Sequence, residues 1–542
     1  MAINPINVIF GLKLRQARVQ KGLSVTELAQ RSQLSPSYVT EIEKGRKYPK
    51  ADKILRLAKA LDYDYDQLVS LRLEPPLSFL EAALSSQLLQ EFPLELFGLD
   101  PSALVELLTR SPAEVSALVQ ALAEVARGYN IREEHFFRAA LRSYQELRNN
   151  YFEDLEEAAA EFARQAGLAS LPVPEAWLAE VLQGRFGYAL GAIPVEHHPP
   201  LAAYRAIYIP GSPPQLLLNP ALMSSQRKFV LAREIGYRVL GLTERALTNS
   251  PDRVDSFGQV LNDFKAAYFG GVLLMPKEQV LEDIRVVFDT PRWQGERLAA
   301  LLERYDVTPE TLLYRFSELI PTFFGLRVHF LRFSEVNGAY RLYKHLNMNQ
   351  LSLPTGFDLK EHYCRRWLTV RIIREMARSG SQGPVVGIQR SRFLQSQREF
   401  LCLGFARQDN LPPYYRTSVI LGMRVDDDLR RRVRFAEDPS IPQGLLNETC
   451  ERCPLGPQEC ADRAAPPTRW EQEQVVEARQ QALRHLLGAA SRGSAVAPEA
   501  AGVALALSPE SPAGPPAFAP EASRAAVPAS AGPAALGRPG GR

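Results

Sequence analysis

Apolar residues in the first sixty positions recur at three- and four-residue spacings, in runs too short for one long helix. Leu28, Ala29, Leu34, Val39 and Ile42 fall where short helices pack on one another, and Ile54, Leu55, Leu57, Ala58 and Leu61 mark a fourth helix. The stops lie between these runs. Gly22 closes the first helix. Ser24, with Glu27 three residues on, forms a capping box for the second. Gln33 and Leu34 form a tight turn. Ser35 caps the third helix, Pro36 takes its first position and Gly45 ends it. Asp64 caps a fifth helix that ends near Ser70, and Pro75-Pro76 marks a boundary.

Residues 77–130 carry a Leu-rich helical pattern broken at Pro93, Pro101 and Pro112. Residues 131–168 read as one longer helix with the stripe Phe136, Ala140, Tyr144, Leu147, Tyr151 and Leu155. That stripe suits either ordinary core or a dimer contact. Pro172 and Pro174 open another domain. Its pattern predicts a short helix over 176–183, strands around 185–188, 206–210 and 215–219, and helices over about 225–242 and 260–274. Residues 277–328 are helical again, with a start at Thr308-Pro309-Glu310. Strands follow at 328–333, 399–406 and 417–423. From about Arg492 the chain turns to Ala, Pro, Gly and Ser, a tail that cannot bury a core and is expected to be disordered. The divisions are therefore 1–74, 75–168, 169–328, 329–490 and 491–542. The fold class is mainly α, with two α+β domains behind an all-α N-terminal domain and a helical linker.

Two short helices joined by a tight turn form a helix-turn-helix, whose second helix lies in the DNA major groove. The stretch FGLKLRQARVQKGLSVTELAQRSQLSPSYVTEIEKGRKYP resembles the Cro/cI-like (XRE) repressor domain. The resemblance implies that the third helix reads base edges. Ser35 caps that helix, and Ser37, Tyr38, Thr40, Glu41 and Lys44 lie on or near its outer face. Short polar side chains there reach bases, and a carboxylate such as Glu41 accepts from a cytosine amino group. Lys44, Arg46, Lys47 and Lys50 suit phosphates.

Charge sharpens this assignment. Residues 1–75 hold thirteen Lys/Arg against eight Asp/Glu, whereas the 542-residue chain has a formal net charge of only +3. Nucleic-acid binding is thus local to one domain. Hydrophobic content of 46% and charged content of 23% mark most of the chain as globular. The first residues lack the basic start, apolar run and cleavage site of a signal peptide, and no apolar run is long enough to span a bilayer. The expectation is a cytoplasmic protein in a reducing compartment, with no membrane partner. Its 5 Cys then suit metal ligation better than disulfides.

The segments KFVLAREIGYRVLG (228–241) and DFKAAYFGGVLLMP (263–276) resemble the ImmA/IrrE-type domain, a zincin-like metallopeptidase unit. The family's catalytic helix carries His-Glu-x-x-His, two imidazoles on one helix face for zinc with a Glu between them as general base. Here the run is Arg233-Glu234-Ile235-Gly236-Tyr237. Only Glu234 is retained. The family's third ligand falls on Asp263. One carboxylate cannot hold a catalytic zinc, which takes three protein ligands and an open position, so no catalytic zinc and no enzyme activity are expected. His197 and His198 sit in a Pro-flanked loop. An Arg233–Asp263 ion pair would place a permanent positive charge where the metal's would be; the alternative leaves Arg233 and Tyr237 in solvent. Either way the domain reads as a pseudopeptidase.

Cys450-x-x-Cys453 with Cys460 close behind has metal-knuckle spacing, and HYCRRW offers Cys364 as a fourth thiolate, with His362 in reserve. Four thiolates suit either structural zinc or an iron–sulfur cluster; the bland alternative is free thiols. Cys402, in FLCLGF, reads as a packed strand residue. The pieces FLRFSEVNGAYRLYKH, HYCRRW and CERC…C…RAAPP are similar to the C-terminal domain of bacterial short-chain fatty acyl regulators. That similarity implies a metabolite sensor with an acyl-CoA-like effector. Arg365, Arg366, Arg371 and Arg374 suit either phosphates or a solvated face. The whole reads as a ligand-responsive, sequence-specific transcriptional regulator that binds double-stranded DNA, commonly as a homodimer on two half-sites. The rivals are an ImmA/IrrE-like zinc peptidase cleaving a repressor, an antitoxin-like interaction module, and redox sensing through the Cys cluster.

Overall fold

The computed structural model describes residues 5–70, 72, 94–97, 121, 133–249, 254–354, 360–381, 383–412, 416–456 and 458–491. The helical pattern of 77–130 lies almost wholly outside the described residues, and the Ala/Pro-rich tail lies wholly outside them. The described residues up to Gln474 form one compact unit, and those from Val475 on fall outside it.

The head has five helices, α1 (Pro5–Gln20), α2 (Val25–Ser32), α3 (Pro36–Glu43), α4 (Ala51–Leu61) and α5 (Tyr65–Val69). The Ser24 hydroxyl accepts from Glu27 N at 3.2 Å while Glu27 accepts from Ser24 N at 2.7 Å, the reciprocal box its spacing predicts. Gln33 takes the left-handed conformation, φ 55°, that turns the chain into α3, and Ser35 accepts from Tyr38 N. Phe10, Leu14, Leu28, Val39, Ile42, Ile54, Leu57 and Leu61 share one core. Leu55 lies in α4 as expected, on its outer side, and is 56% exposed. Two contacts of α3 with α1 escaped the pattern. Arg18 donates to both oxygens of the buried Glu43 at 2.6 and 2.9 Å and to Leu23 O at 2.7 Å. Gly11 lies so close to the end of α3 that a Cβ would stand 2.3 Å from Ile42 O.

Behind the head come α6 (Glu133–Leu147) and α7 (Glu153–Gln165). The single helix expected over 131–168 is therefore broken. Asn149 and Asn150 adopt φ of 52° and 55°, a region Asn tolerates and most residues avoid. Asn150 is buried, accepting from Gln145 and donating to Ser317. Leu147, at the break, is 62% exposed and leaves the stripe.

Next come α8 (Glu175–Glu180) and a three-stranded sheet, β1 (Ala189–Ala192), β2 (Ala206–Ile209) and β3 (Gln215–Leu218), in the order β1-β3-β2. The strand expected at 185–188 starts four residues later, because Val181–Arg185 continues α8 as a wider helical turn. Two helices, α9 (Ser224–Val239) and α10 (Phe257–Leu274), pack closely. A Cβ on Gly236 would stand 2.8 Å from Ala266 O, and one on Gly270 2.9 Å from Arg233 N. Helices α11 (Lys277–Phe288), α12 (Gly295–Tyr305) and α13 (Pro309–Phe324) follow.

A six-stranded sheet completes the body. Its strands are β4 (Val328–Val336), β5 (Ala339–Asn347), β6 (Val385–Phe393), β7 (Glu399–Gln408), β8 (Arg416–Arg424) and β9 (Gln443–Leu446), in the order β5-β4-β8-β7-β6-β9. All pairings are antiparallel except β6 with β9. Both faces are covered, which is why FLCLGFA reads as one apolar run. Phe400, Cys402 and Ala406 face α14 (Leu368–Ser379), with Ile372, Ile373 and Met376. Leu401, Leu403 and Phe405 join a core with Leu312, Phe316 and Ile320 of α13. The domain boundary expected near 328 is thus crossed by one continuous core. A short α15 (Asp427–Arg432) and the long α16 (Thr468–Ser491) are the remaining α-helices of the described residues.

An ion cluster ties α7, α10 and α13 together. The buried Arg315 donates to both oxygens of Glu156 at 2.6 and 2.8 Å and to Glu318 at 2.9 Å; Tyr268 OH also donates to Glu156. Burial pushes the Glu318 carboxyl up to about 7, against the pull of Arg315. Glu318 therefore binds its proton more tightly folded than unfolded. Between its ordinary value of 4.5 and about 7, the folded chain carries the extra proton, so stability falls as pH rises through that window. Glu318→Gln should remove roughly 2–3 kcal/mol of that fall. Urea denaturation at pH 5 and pH 8 measures it; an undiminished pH slope would show that another group is responsible.

Candidate nucleic-acid interface and sensor sites

The exposed face of α3 carries the residues expected there. Ser35, Ser37, Arg46, Lys47 and Lys50 are exposed, and Tyr38, Thr40, Glu41 and Lys44 are half-buried. Thr40 Oγ1 donates to Pro36 O at 2.9 Å, so its lone pairs and methyl group stay available outward. Arg46 sits 3.4 Å from Glu41, a loose exposed pair. Lys53 Nζ lies 4.2 Å and Lys47 Nζ 5.9 Å from the Tyr38 ring centre. Tyr38 thus gathers cations beside the helix. The result is a rigid, capped helix flanked by cations.

The second site lies where α9 meets α10. Arg233 and Asp263 are in ion-pair contact, and Tyr237 OH donates to Asp263 at 3.2 Å. Glu234, at 2% exposure, is fully engaged. Arg245 donates to its two oxygens at 2.5 and 2.8 Å, and Tyr188 OH donates to Oε1 at 2.7 Å. The Arg245 guanidinium is itself stacked between Tyr208 and Tyr237, 3.8 and 4.0 Å from their ring centres. Burial pushes the Tyr188 phenol far above its ordinary range, and the Glu234 carboxylate adds to the rise. Arg245 and Tyr188 had no local signal, since they reach Glu234 from other segments. His197 and His198 are both exposed in their loop.

The thiols of the third site share one region. Tyr363 bridges Thr449, Cys364 N donates to Glu448 O, and Cys450 N donates to His362 O. This brings HYCRRW beside the knuckle segment. Cys364, Cys450, Cys453 and Cys460 are all buried and free. Burial pushes the Cys364 thiol up to about 11, with the neighbouring Cys450 and Cys453 raising it further. Cys453 and Cys460 are also raised, first by burial. Among the described residues no group of three or more His, Cys, Asp or Glu is drawn together as a metal site. His362 is paired with Glu451 at 2.7 Å. Cys402 is packed in β7 with its Sγ 3.9 Å from His329 Nε2.

The Arg residues around α14 are occupied rather than free for phosphate. Arg366 donates to Leu445 O and Glu459 O, Arg371 to Ile388 O, and Arg374 pairs with Asp462 at 2.7 Å. Arg365 lies over the Tyr340 ring. The excess cation is elsewhere. Arg332, Arg407 and Asp409 are buried, with Arg332 3.4 Å from Glu310 and 3.5 Å from Asp409. Arg407 is 3.7 Å from Asp409, and Lys344 is 3.8 Å from Glu310. Arg205 adds a fourth positive charge, and although burial alone would raise the Glu310 carboxyl, the four cations hold it down to about 2. Lys344 also faces Glu318, so the four cations stand against Glu310, Asp409 and a carboxyl already paired with Arg315, and the balance is still a positive surplus that an anion would neutralise. The residues come from five segments, which is why no motif announced them.

Residues 14–68 match the helix-turn-helix family model, and residues 195–317 match that of the IrrE N-terminal-like domain. The HTH-type transcriptional regulator PrpR of Mycobacterium tuberculosis is 25% identical over 335 residues, which are 57% of this chain and 63% of that protein. The chain thus spans somewhat under two thirds of the relative's length. Among solved structures, a Mycobacterium tuberculosis transcriptional regulator is 20% identical, covering 60% of this chain and 92% of its own, with a TM-score of 0.41. The restriction-modification controller protein C.AhdI of Aeromonas hydrophila is 44% identical over 11% of this chain and 94% of its own, with a TM-score of 0.11. No helix among the described residues is long and apolar enough to cross a membrane.

Proposed function

We propose that this chain is a sequence-specific, DNA-binding transcriptional regulator whose body senses a small anionic metabolite and does not hydrolyse peptides. The observation that carries the reading is the capped α3 with Ser37, Thr40 and Glu41 on its outer side and Arg46, Lys47 and Lys50 beyond it. Half-sites one helical turn apart would suit a homodimer. The reading places the protein in the cytoplasm with its DNA.

The non-enzymatic part rests on Glu234. A general base must accept a proton from water, and both Glu234 oxygens already accept from Arg245. The guanidinium of Arg233 stands at a zinc ligand's helix position and pairs with Asp263. Cation and carboxylate there satisfy each other without metal. The surplus charge around Arg332 and Arg407 supports an acyl-CoA-like effector, whose phosphates would neutralise it. The effector acts only as far as it binds one arrangement of the protein better than another. We likewise propose that Cys364, Cys450, Cys453 and Cys460, which lie within electrostatic reach of one another but are not drawn into a ligand sphere in this structure, close on zinc or an iron–sulfur cluster. Four buried thiols are a soft donor set, and a bound metal would keep them deprotonated.

Selection from a random duplex library with the purified full chain tests the function. Enrichment of one palindromic sequence is expected. No enrichment, with chelator-sensitive cleavage of a polypeptide lost in Glu234→Gln, would install the peptidase reading instead.

A further inference from the structure

A pocket of about 400 Å³ opens between α6 and the end of β5, lined by Arg142, Ser143, Glu146, His345, Asn347 and Gln350 among others. That volume falls in the roughly 300–1,000 Å³ range of small-molecule sites. Its walls are held from behind. On α6, the buried Gln145 donates to Asn150 and Tyr314, so the helix cannot rotate freely. On the other wall, Asn347 donates to Leu351 O at 3.0 Å and accepts from Leu351 N at 2.9 Å, fixing the turn after β5. Glu146 accepts from Asn347 N at 3.0 Å and joins the walls.

We infer that this pocket is a second ligand site, for a small hydroxylated metabolite bearing a phosphate or carboxylate. Arg142 and His345 line it, and neither side chain has a hydrogen-bond or ion-pair partner among the described residues; Glu146 acts on Arg142 only at longer range. An unpaired, half-buried guanidinium is a strong anion acceptor site. Burial lowers both groups, His345 to about 4 with Arg142 contributing, so the imidazole is neutral near pH 7 and offers one donor and one acceptor. Ser143, Asn347 and Gln350 add polar groups. The remaining Glu146 oxygen accepts from a hydroxyl, which selects a hydroxylated anion over a bare one.

The site is separate from the basic cluster around Arg332. Lys344 and His345 are neighbours on β5, so their side chains leave opposite faces. Lys344 reaches Glu310, whereas His345 reaches this pocket. The inference does not depend on DNA binding by the head.

Calorimetric titration of the full chain with glycerol 3-phosphate, and separately with glycerate, distinguishes phosphate from carboxylate recognition. At constant ionic strength at least one should saturate. Arg142→Met should weaken that binding at least about tenfold, the cost of a lost charge-assisted pair. Arg148→Met, exposed just past the end of α6, should leave it unchanged. Failure of both probes to saturate, or saturation indifferent to Arg142→Met, would overturn the site.

Discussion

Arg315→Ala should destabilise the body by about 3–5 kcal/mol, a factor on the order of a thousand in the folded-to-unfolded ratio. The guanidinium is 1% exposed and neutralises two carboxylates, Glu156 and Glu318, that are 3% and 2% exposed. Its removal leaves Glu156 buried without its cation and drives Glu318 to take up a proton, and desolvation of the unpaired charge is the main cost. Glu318, already at about 7, rises further, and Glu156 is left with Tyr268 OH alone. The 4 Trp all lie at or beyond position 177, so tryptophan fluorescence in urea follows the body and not the head. The discriminating control replaces the cluster whole. Arg315→Met with Glu156→Gln and Glu318→Gln should recover most of the loss, because no unpaired charge remains. If the triple variant is as unstable as Arg315→Ala, the packing of the long side chain and not its charge is what matters.

The second large effect is on the head. Replacing Arg46, Lys47 and Lys50 together by Ala should weaken binding to the selected duplex by about a hundredfold near 0.1 M salt. The slope of log affinity against log salt should fall by about 2 to 3, since each neutralised phosphate contributes roughly 0.9. All three side chains are exposed, and among the described residues only Arg46 of the three has an ion-pair partner, at 3.4 Å. Their loss therefore costs the fold little, and unchanged helical circular dichroism would confirm it. Thr40→Ala should behave differently. It removes a hydroxyl oriented by Pro36 O from the outer side of α3, so it should alter base preference at one position with the salt slope intact. Equal slopes for the parent and the triple variant would place the phosphate contacts elsewhere on the head.

These cases show what could be read from sequence and why. The head was legible almost to the residue. Its signals, Ser24 with Glu27, Ser35 with Pro36, Gly22 and Gly45, act over three or four positions, within one turn of helix. The strands of the large sheet were legible as apolar runs. Local pattern and structure part company where a distant residue decides a local conformation. Asn150 breaks the 131–168 helix because Ser317 and Gln145 satisfy its buried amide. The start of β1 shifted because Val181–Arg185 prolongs a helix against the body's core.

The sequence by itself determined the helix-turn-helix, its basic exit, the placing of Arg233 and Tyr237 four residues apart around Glu234, and the cysteine spacing. Each is a matter of residue type at short separation. Tertiary structure alone decided that Arg245 and Tyr188 occupy Glu234, that Arg315 joins Glu156 across 159 positions, and that Arg332, Lys344 and Arg407 crowd two carboxylates. Burial makes such pairings strong, because charges removed from water must find partners wherever the fold brings them. No rule of local spacing records which partners those will be.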